Sequence, residues 1–465
     1  GGNISIATAL PQLPSGSLSI VNGALNSGTI VAGTPTPGAI VTAALAGDGA
    51  QISLGALGPV MVNGAINNDA TGSRDGGAVE IVTFSGQSFT LDPAAVGEGV
   101  HGIISSRGGN LSGAGGSISV TNAGPGGITL GATSNLDVSP VEGRGGSLVL
   151  LGLGGPQEGP LSLPSGLLSA DAAGAGSYDG GTVAVAGSYI SVGGKGPLLL
   201  SANAVGGGNG GTVALGSSAI DSDLVIGTGS GEISISATGG SVGSAAGNGG
   251  VVGVGAGRDL TVDPQALSAN PLGLNGDGAN VILSAGVAGT GNLALLAASL
   301  LETGATTDAL AKLNFIGSGN LFVAGDLNVD GVGSGNGGQV LLGLKSAVPF
   351  LVSSGARING VDGKVTVLPG EEGAAGAIAL LSLGSGGIDP ASVNNISAGS
   401  GAILTVSNGL ITLAGANEQL TGVARLLNTN IGRLATSLAG SVRLNSPEIR
   451  PRVSINVRVA GPNRQ

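Results

Sequence analysis

One phrase recurs along this chain: two glycines, a variable residue, then apolar residues at every second position. It reads Gly76-Gly77-Ala78-Val79-Glu80-Ile81, Gly115-Gly116-Ser117-Ile118-Ser119-Val120 and Gly145-Gly146-Ser147-Leu148-Val149-Leu150. Further copies begin at Gly180, Gly210, Gly249, Gly337 and Ala375, with weaker ones at Asp48-Gly49, Asp277-Gly278 and Ser400-Gly401. The chain itself opens on a copy, Gly1-Gly2-Asn3-Ile4-Ser5-Ile6. Up to Gly250 the successive spacings are 39, 30, 35, 30 and 39 residues. A constant strand motif at a loose period is the signature of a solenoid whose loops vary and whose strands do not.

One repeat can be read whole, from Thr182 to Gly211. Thr182–Val185 and Tyr189–Val192 alternate, Leu198–Ser201 is an apolar run, and glycine-rich bends separate the three. The next repeat follows with Thr212–Leu215, Leu224–Ile226 and Ile233–Ser236. Three short strands per turn predict an all-β, right-handed parallel β-helix of roughly thirteen turns, on the order of 60 Å long at ~4.8 Å per turn. Val213 and Leu215 are expected to point inward, Thr212 and Ala214 outward. The Asn-Gly-Gly and Asp-Gly-Gly corners are expected to supply the positive φ that a sharp bend demands.

Gly-Gly corners with Ile-x-Ile strands resemble the repeat regions of filamentous-haemagglutinin-type exoproteins and related bacterial surface adhesins. The resemblance spans residues 1 to 415 and implies a secreted or surface-located parallel β-helix. The secretion domain with which such exoproteins begin has no counterpart here.

Composition agrees with a packed fold of this kind. Of 465 residues, 95 are glycine, 41% are hydrophobic and 9% are charged, with a mean hydropathy of +0.44. That hydrophobicity excludes a disordered chain, and the glycine lacks a collagen period. The core must be aliphatic, since there are only five Phe and two Tyr, and a narrow lumen is expected to leave no room for aromatics. No cysteine is present, so disulfides do not fix the compartment. The start at Gly1, without Met or leader, reads as a mature or excised segment. The uncharged stretch from Gly278 to Leu301 is too broken by Gly and Asn to span a membrane.

After Leu413 the period changes. Leu420, Val423, Ala424, Leu427, Ile431, Leu434 and Leu438 recur at three- and four-residue spacing, which predicts an amphipathic capping helix over residues 416–440 laid on the last coil. Residues 441–465 form a basic extension. Within it, Arg452-Val453-Ser454-Ile455-Asn456-Val457-Arg458-Val459 alternates strictly and leaves one apolar face unburied. Residues 425–465 carry a balance of +6 and the rest −17, within a net charge of −11. A basic tail on an acidic body suits attraction between successive subunits. The expected interface residues are therefore Arg450, Arg452, Val453, Ile455, Val457, Arg458 and Val459, docking on a second copy of the chain. A gatekeeping role for the arginines beside a sticky strand is the plainer alternative.

Candidate chemistry is sparse. His101 is the only histidine, so any Ser-His-Asp triad must use it. Gly239-Gly240-Ser241-Val242-Gly243 matches a nucleophile elbow without its strand-to-helix context. Gly206-x-Gly208-x-x-Gly211 matches a dinucleotide fingerprint on what reads as a turn. β-helical lyases and glycosidases need clustered carboxylates, whereas here only Asp221/Asp223 and Asp326/Asp330 are close pairs. The calcium nonapeptide is not matched, and an acidic body without aromatics disfavours nucleic acid. No enzyme activity, cofactor or metal is expected. The reading is a secreted fibre subunit assembling head to tail for adhesion or matrix formation, at the cell surface or outside the cell. The alternative is a passive stalk or carbohydrate-binding segment of a larger adhesin, touching a surface polysaccharide or host cell.

Overall fold

The computed structural model describes residues 49–155, 159–241, 247–273, 276–298 and 311–407 in full. Outside them it describes only the strands Ile4–Ala7, Leu18–Ile20, Leu25–Asn26, Ile40–Val41, Leu410–Ala414 and Val442–Leu444. The chain is a parallel β-solenoid. The alternating strand of each repeat stacks in one fifteen-stranded sheet, running from Ile4–Ala7 through Ser117–Asn122, Thr182–Gly187 and Ala377–Ser382 to Val442–Leu444. Thirteen of these strands, down to Ala402–Ser407, pair in parallel with the equivalent strand one turn along. A second fifteen-stranded sheet and two shorter ones complete the other faces.

Register follows side-chain type. Val183 pairs with Val213 and Val213 with Val252, so β-branched side chains stack in columns inside the lumen. Val213 is fully buried and Leu215 nearly so, while Thr212 and Ala214 are half-buried on the outer side. One continuous hydrophobic core runs through the described coils from Ile52 to Ala398. No helix among the described residues is long and apolar enough to cross a membrane.

Four details depart from the sequence reading. The lumen does admit aromatics: Phe89, Phe315 and Phe350 are all 0% exposed within it, so the low aromatic content is not a steric requirement of the fold. The expected second and third strands of the Thr182–Gly211 repeat are one strand, Ile190–Ser201, which pairs with Leu161–Ser169 across an irregularity after Pro164. Parallel stacking ends at Ala402–Ser407, because Leu410–Ala414 pairs with it antiparallel.

The fourth concerns the corners. None of the paired corner glycines among the described residues has a left-handed φ. They are glycine because successive coils approach too closely there for a Cβ. A Cβ on Gly181 would overlap the carbonyl of Gly146, one on Gly211 that of Gly181, and one on Gly145 that of Ala170.

Candidate functional site

The closely packed corners leave a feature on the surface. Glycines 76, 77, 115, 116, 145, 146, 180, 181, 210 and 211 lie in register across successive coils and floor a groove of about 990 Å³. On one side stands the first outward column of the strands, including Ser117, Ser147, Thr182 and Thr212. On the other stand Arg144, Asp179 and Asn209, each immediately before a glycine pair.

The groove's polar groups are already engaged in holding the rod. Floor amides donate to neighbouring coils, as from Gly116 N–H to the Ser106 carbonyl (2.7 Å) and from Ser147 N–H to the Gly116 carbonyl (2.8 Å). Where the residue before a glycine pair is Asp or Asn, its side chain extends that pairing. Asp179 Oδ1 accepts from Asn209 N–H (2.8 Å), Asn209 Oδ1 from Asn248 N–H (2.9 Å), and Asn248 Oδ1 from Asp277 N–H (2.7 Å). The same step recurs from Ala114 N–H to Asp75 and from Ala374 N–H to Asn336. A short acceptor on Cβ is what reaches the amide one coil on, which gives Asp and Asn at this position a structural reason besides turn preference.

Two further ladders run elsewhere on the rod. In one, Asp223, Asp259 and Asn292 each accept from the backbone N–H of the equivalent residue in the next coil, the last from Asn320. In the other, Asp171 accepts from Asn203 N–H and Asn203 from Thr238 N–H. Asp330 repeats that step with Leu368 N–H at 2.6 Å.

Electrostatics follow these ladders. Arg144 meets Asp179 at 2.5 Å, and Arg258 clasps Asp223 through Nε (2.6 Å) and an η-nitrogen (2.5 Å). Burial works to raise the Asp179 carboxyl, but the Asn209 and Arg144 hydrogen bonds outweigh it and leave it below its ordinary value. Asp223 is lowered chiefly by the Arg258 hydrogen bond, against some burial, and Arg258 is raised in return. The Tyr189 hydroxyl donates to Asp221 at 2.6 Å, which raises the phenol.

The candidates from sequence are scattered by this architecture. His101 bonds through Nδ1 to Asn63 at 2.7 Å. Ser241 is exposed in a coil four removed, so the two do not meet. Gly206 takes a left-handed φ of 60° in a turn, and Gly211 leads into the strand Thr212–Ser217 rather than a helix. Asp221 and Asp223 face Tyr189 and Arg258. Asp326 accepts from Lys364 N–H and Asp330 from Leu368 N–H, so each of the four carboxylates has a partner within the rod. No group of three or more His, Asp or Glu fit to hold a metal occurs among the described residues.

The expected interface residues Arg450, Arg452, Val453, Ile455, Val457, Arg458 and Val459 lie outside the described residues, as do the expected capping segment 416–440 and the opening Gly1-Gly2. The sequence reading missed the groove and the ladders. The signal was present as an Asp or Asn directly before Gly-Gly at 75, 179, 209, 248 and 336, where it was read only as turn chemistry. No protein-family model matches the chain, and neither the curated proteins nor the solved structures contain a match to it.

Proposed function

We propose that this chain is a structural rod of an extracellular or cell-surface assembly, one that joins end to end with further copies of itself. The observation that carries this reading is the place of the first described strand in its sheet. Ile4–Ala7 stands at one end of the fifteen-stranded order and pairs on one side with Ile52–Gly55; its other edge has no partner among the described strands. An unpaired row of N–H and C=O groups is a template for a strand from another chain.

The strictly alternating segment Arg452–Val459 has the composition of such a strand. Its arginines suit the acidic coils that follow this strand, where Asp69, Asp75, Glu80, Asp92 and Glu98 are grouped. Electron microscopy of the full chain against one ending at Ser446 tests the docking. Loss of filaments with an unchanged circular dichroism spectrum is expected; normal filaments from the shortened chain refute the donated strand.

A second reading rests on the groove. A glycine floor without side chains, edged by Ser117, Ser147, Thr182 and Thr212, suits lengthwise contact with an extended hydroxylated polymer such as a surface polysaccharide. Glycan-array binding that is lost in Thr182→Val/Thr212→Val supports it; unchanged binding removes the groove from the account.

A further inference from the structure

The last coils carry apolar side chains on the wrong side. Leu341, Ala379, Leu381, Leu404 and Val406 occupy outward positions of the first sheet, in register with the half-buried Ala184 and Ala214 of earlier coils or two residues beyond them. They nevertheless are 0–4% exposed and form a cluster separate from the lumen core. Asn314, one coil earlier on the same face, is 3% exposed, and its amide oxygen has no partner among the described residues. In the strand Ala402–Ser407 the outward residues are even more buried than the inward Ile403 and Thr405. An apolar face buried to this degree calls for a cover.

Topology points to the part of the chain that supplies it. The order at this end is Ala402–Ser407, Leu410–Ala414, Val442–Leu444; the first pair is antiparallel and the second parallel. Connections between parallel neighbours are right-handed in nearly all proteins. Along the rod that hand sends each connection round the lumen. Leu410–Ala414 runs in the opposite direction while the step along the rod is unchanged. The same hand, applied to this reversed pair, favours a connection on the other side of the sheet, across the outer face.

We propose that the outer face of the last coils is the docking surface for the segment between these strands, through its stripe Leu420, Val423, Leu427, Ile431, Leu434 and Leu438. The cover therefore lies along the side of the rod rather than over its end. That leaves the outer edge of Val442–Leu444, last in the order of described strands, out of the contact, so the inference stands whether or not the rod polymerises.

The chain has no cysteine, which makes disulfide trapping clean. Ala379→Cys or Ala402→Cys, paired in turn with Leu420→Cys, Leu427→Cys or Leu434→Cys in the full chain, is oxidised at low concentration. A non-reducing gel then separates intrachain from interchain products. At least one pairing is expected to convert most of the protein to a faster-migrating monomer, with an unchanged circular dichroism spectrum. Capture instead by Val453→Cys or Ile455→Cys, or an interchain dimer, overturns the proposal in favour of the terminal strand or a second copy. Absence of any crosslink also overturns it. Radical footprinting of the unsubstituted chain reads the contact independently. Leu341, Leu404, Leu427 and Leu434 are expected to be protected together, and a labelled Leu427 and Leu434 beside a protected Leu404 sinks the assignment. Both readouts are taken on monomers, so failure of the filament reading leaves them intact.

Discussion

The middle coils and the last coils use one backbone and two different kinds of strand. In Ser117–Asn122, Thr182–Gly187 and Thr212–Ser217 buried and half-buried residues alternate without exception, and each strand has one solvated face. In Gln339–Leu344 five of six residues are buried, and in Ala377–Ser382 all six are. The sequence changes accordingly, from Thr-Val-Ala-Val to Gln-Val-Leu-Leu and Ala-Ile-Ala-Leu-Leu. A strand covered on both faces reads as a continuous apolar run, and one covered on a single face as alternation. The rod thus has one solvated face along its middle and strands buried on both faces near its carboxyl end.

The sharpest way to break this comparison is a charge on the outer face of each region. Leu341→Asp puts a carboxylate where the native side chain is 0% exposed and is expected to cost about 3–5 kcal/mol. Ala214→Asp, at the equivalent outward position of a bare coil, is expected to cost under about 1 kcal/mol. Because a repeat array can unfold in parts, the readout is hydrogen exchange coil by coil rather than a single midpoint. Equal loss of protection at the two sites would show that the outer faces do not differ.

Next in size is the corner. Gly181→Ala drives a methyl into the Gly146 carbonyl and is expected to cost on the order of 3 kcal/mol, since neither backbone can yield without disturbing both coils. Gly253→Ala, on a mid-strand outward position with nothing within 4 Å, is expected to be neutral within about 0.5 kcal/mol or slightly stabilising. Thermal unfolding of the two variants separates close approach from generic glycine loss. A similar fall in midpoint for both removes the close-approach account of the groove floor.

Much of the fold was legible because its period is carried by two residue types that admit few substitutes. Glycine at the crowded corner and Val, Leu or Ile at the inward positions fix repeat, register and lumen together, as at Gly180-Gly181-Thr182-Val183. The reason for the glycines was misread, because a bend and a close approach leave the same mark in a sequence. The carboxyl-terminal reversal was also readable. Asn408-Gly409 between two apolar runs is the strongest short hairpin signal, and Ser407 indeed pairs with Leu410 across it. It was overlooked because glycine is everywhere in this chain and one more Asn-Gly resembled another corner. The groove was not legible, since it is made by coils 30 or more residues apart and by side chains that are missing rather than present. The ladders were half visible: the Asp and Asn positions stood out, but their amide partners lie one coil away.

The smallest effect concerns the charges on the bare corner. Asp179 sits below its ordinary value in the folded rod, so between its folded and unfolded values the unfolded chain binds more protons. Its contribution is therefore complete above the unfolded value and is lost as pH falls through the folded one, in a window that opens below roughly pH 5. The site is partly exposed and its Arg144 partner is two-thirds exposed, so screening by water holds the contribution below about 1 kcal/mol. Asp179→Asn separates the two jobs of this side chain. The amide oxygen can still accept from Asn209 N–H, as Asn209 and Asn248 do for the coils that follow, while the charge and its pairing with Arg144 disappear. Near neutral pH the variant is expected to lose little stability, and its denaturation midpoint is expected to fall less steeply between pH 5 and about pH 3 than that of the parent. An unchanged acid slope would mean that Asp179 keeps its charge interactions in the unfolded chain, whereas a large loss at neutral pH would mean that the ladder requires a carboxylate. Asp179→Ala supplies the other limit. It removes the acceptor as well, leaves the Asn209 amide without its partner, and is expected to cost about 1 kcal/mol more than Asp179→Asn at every pH.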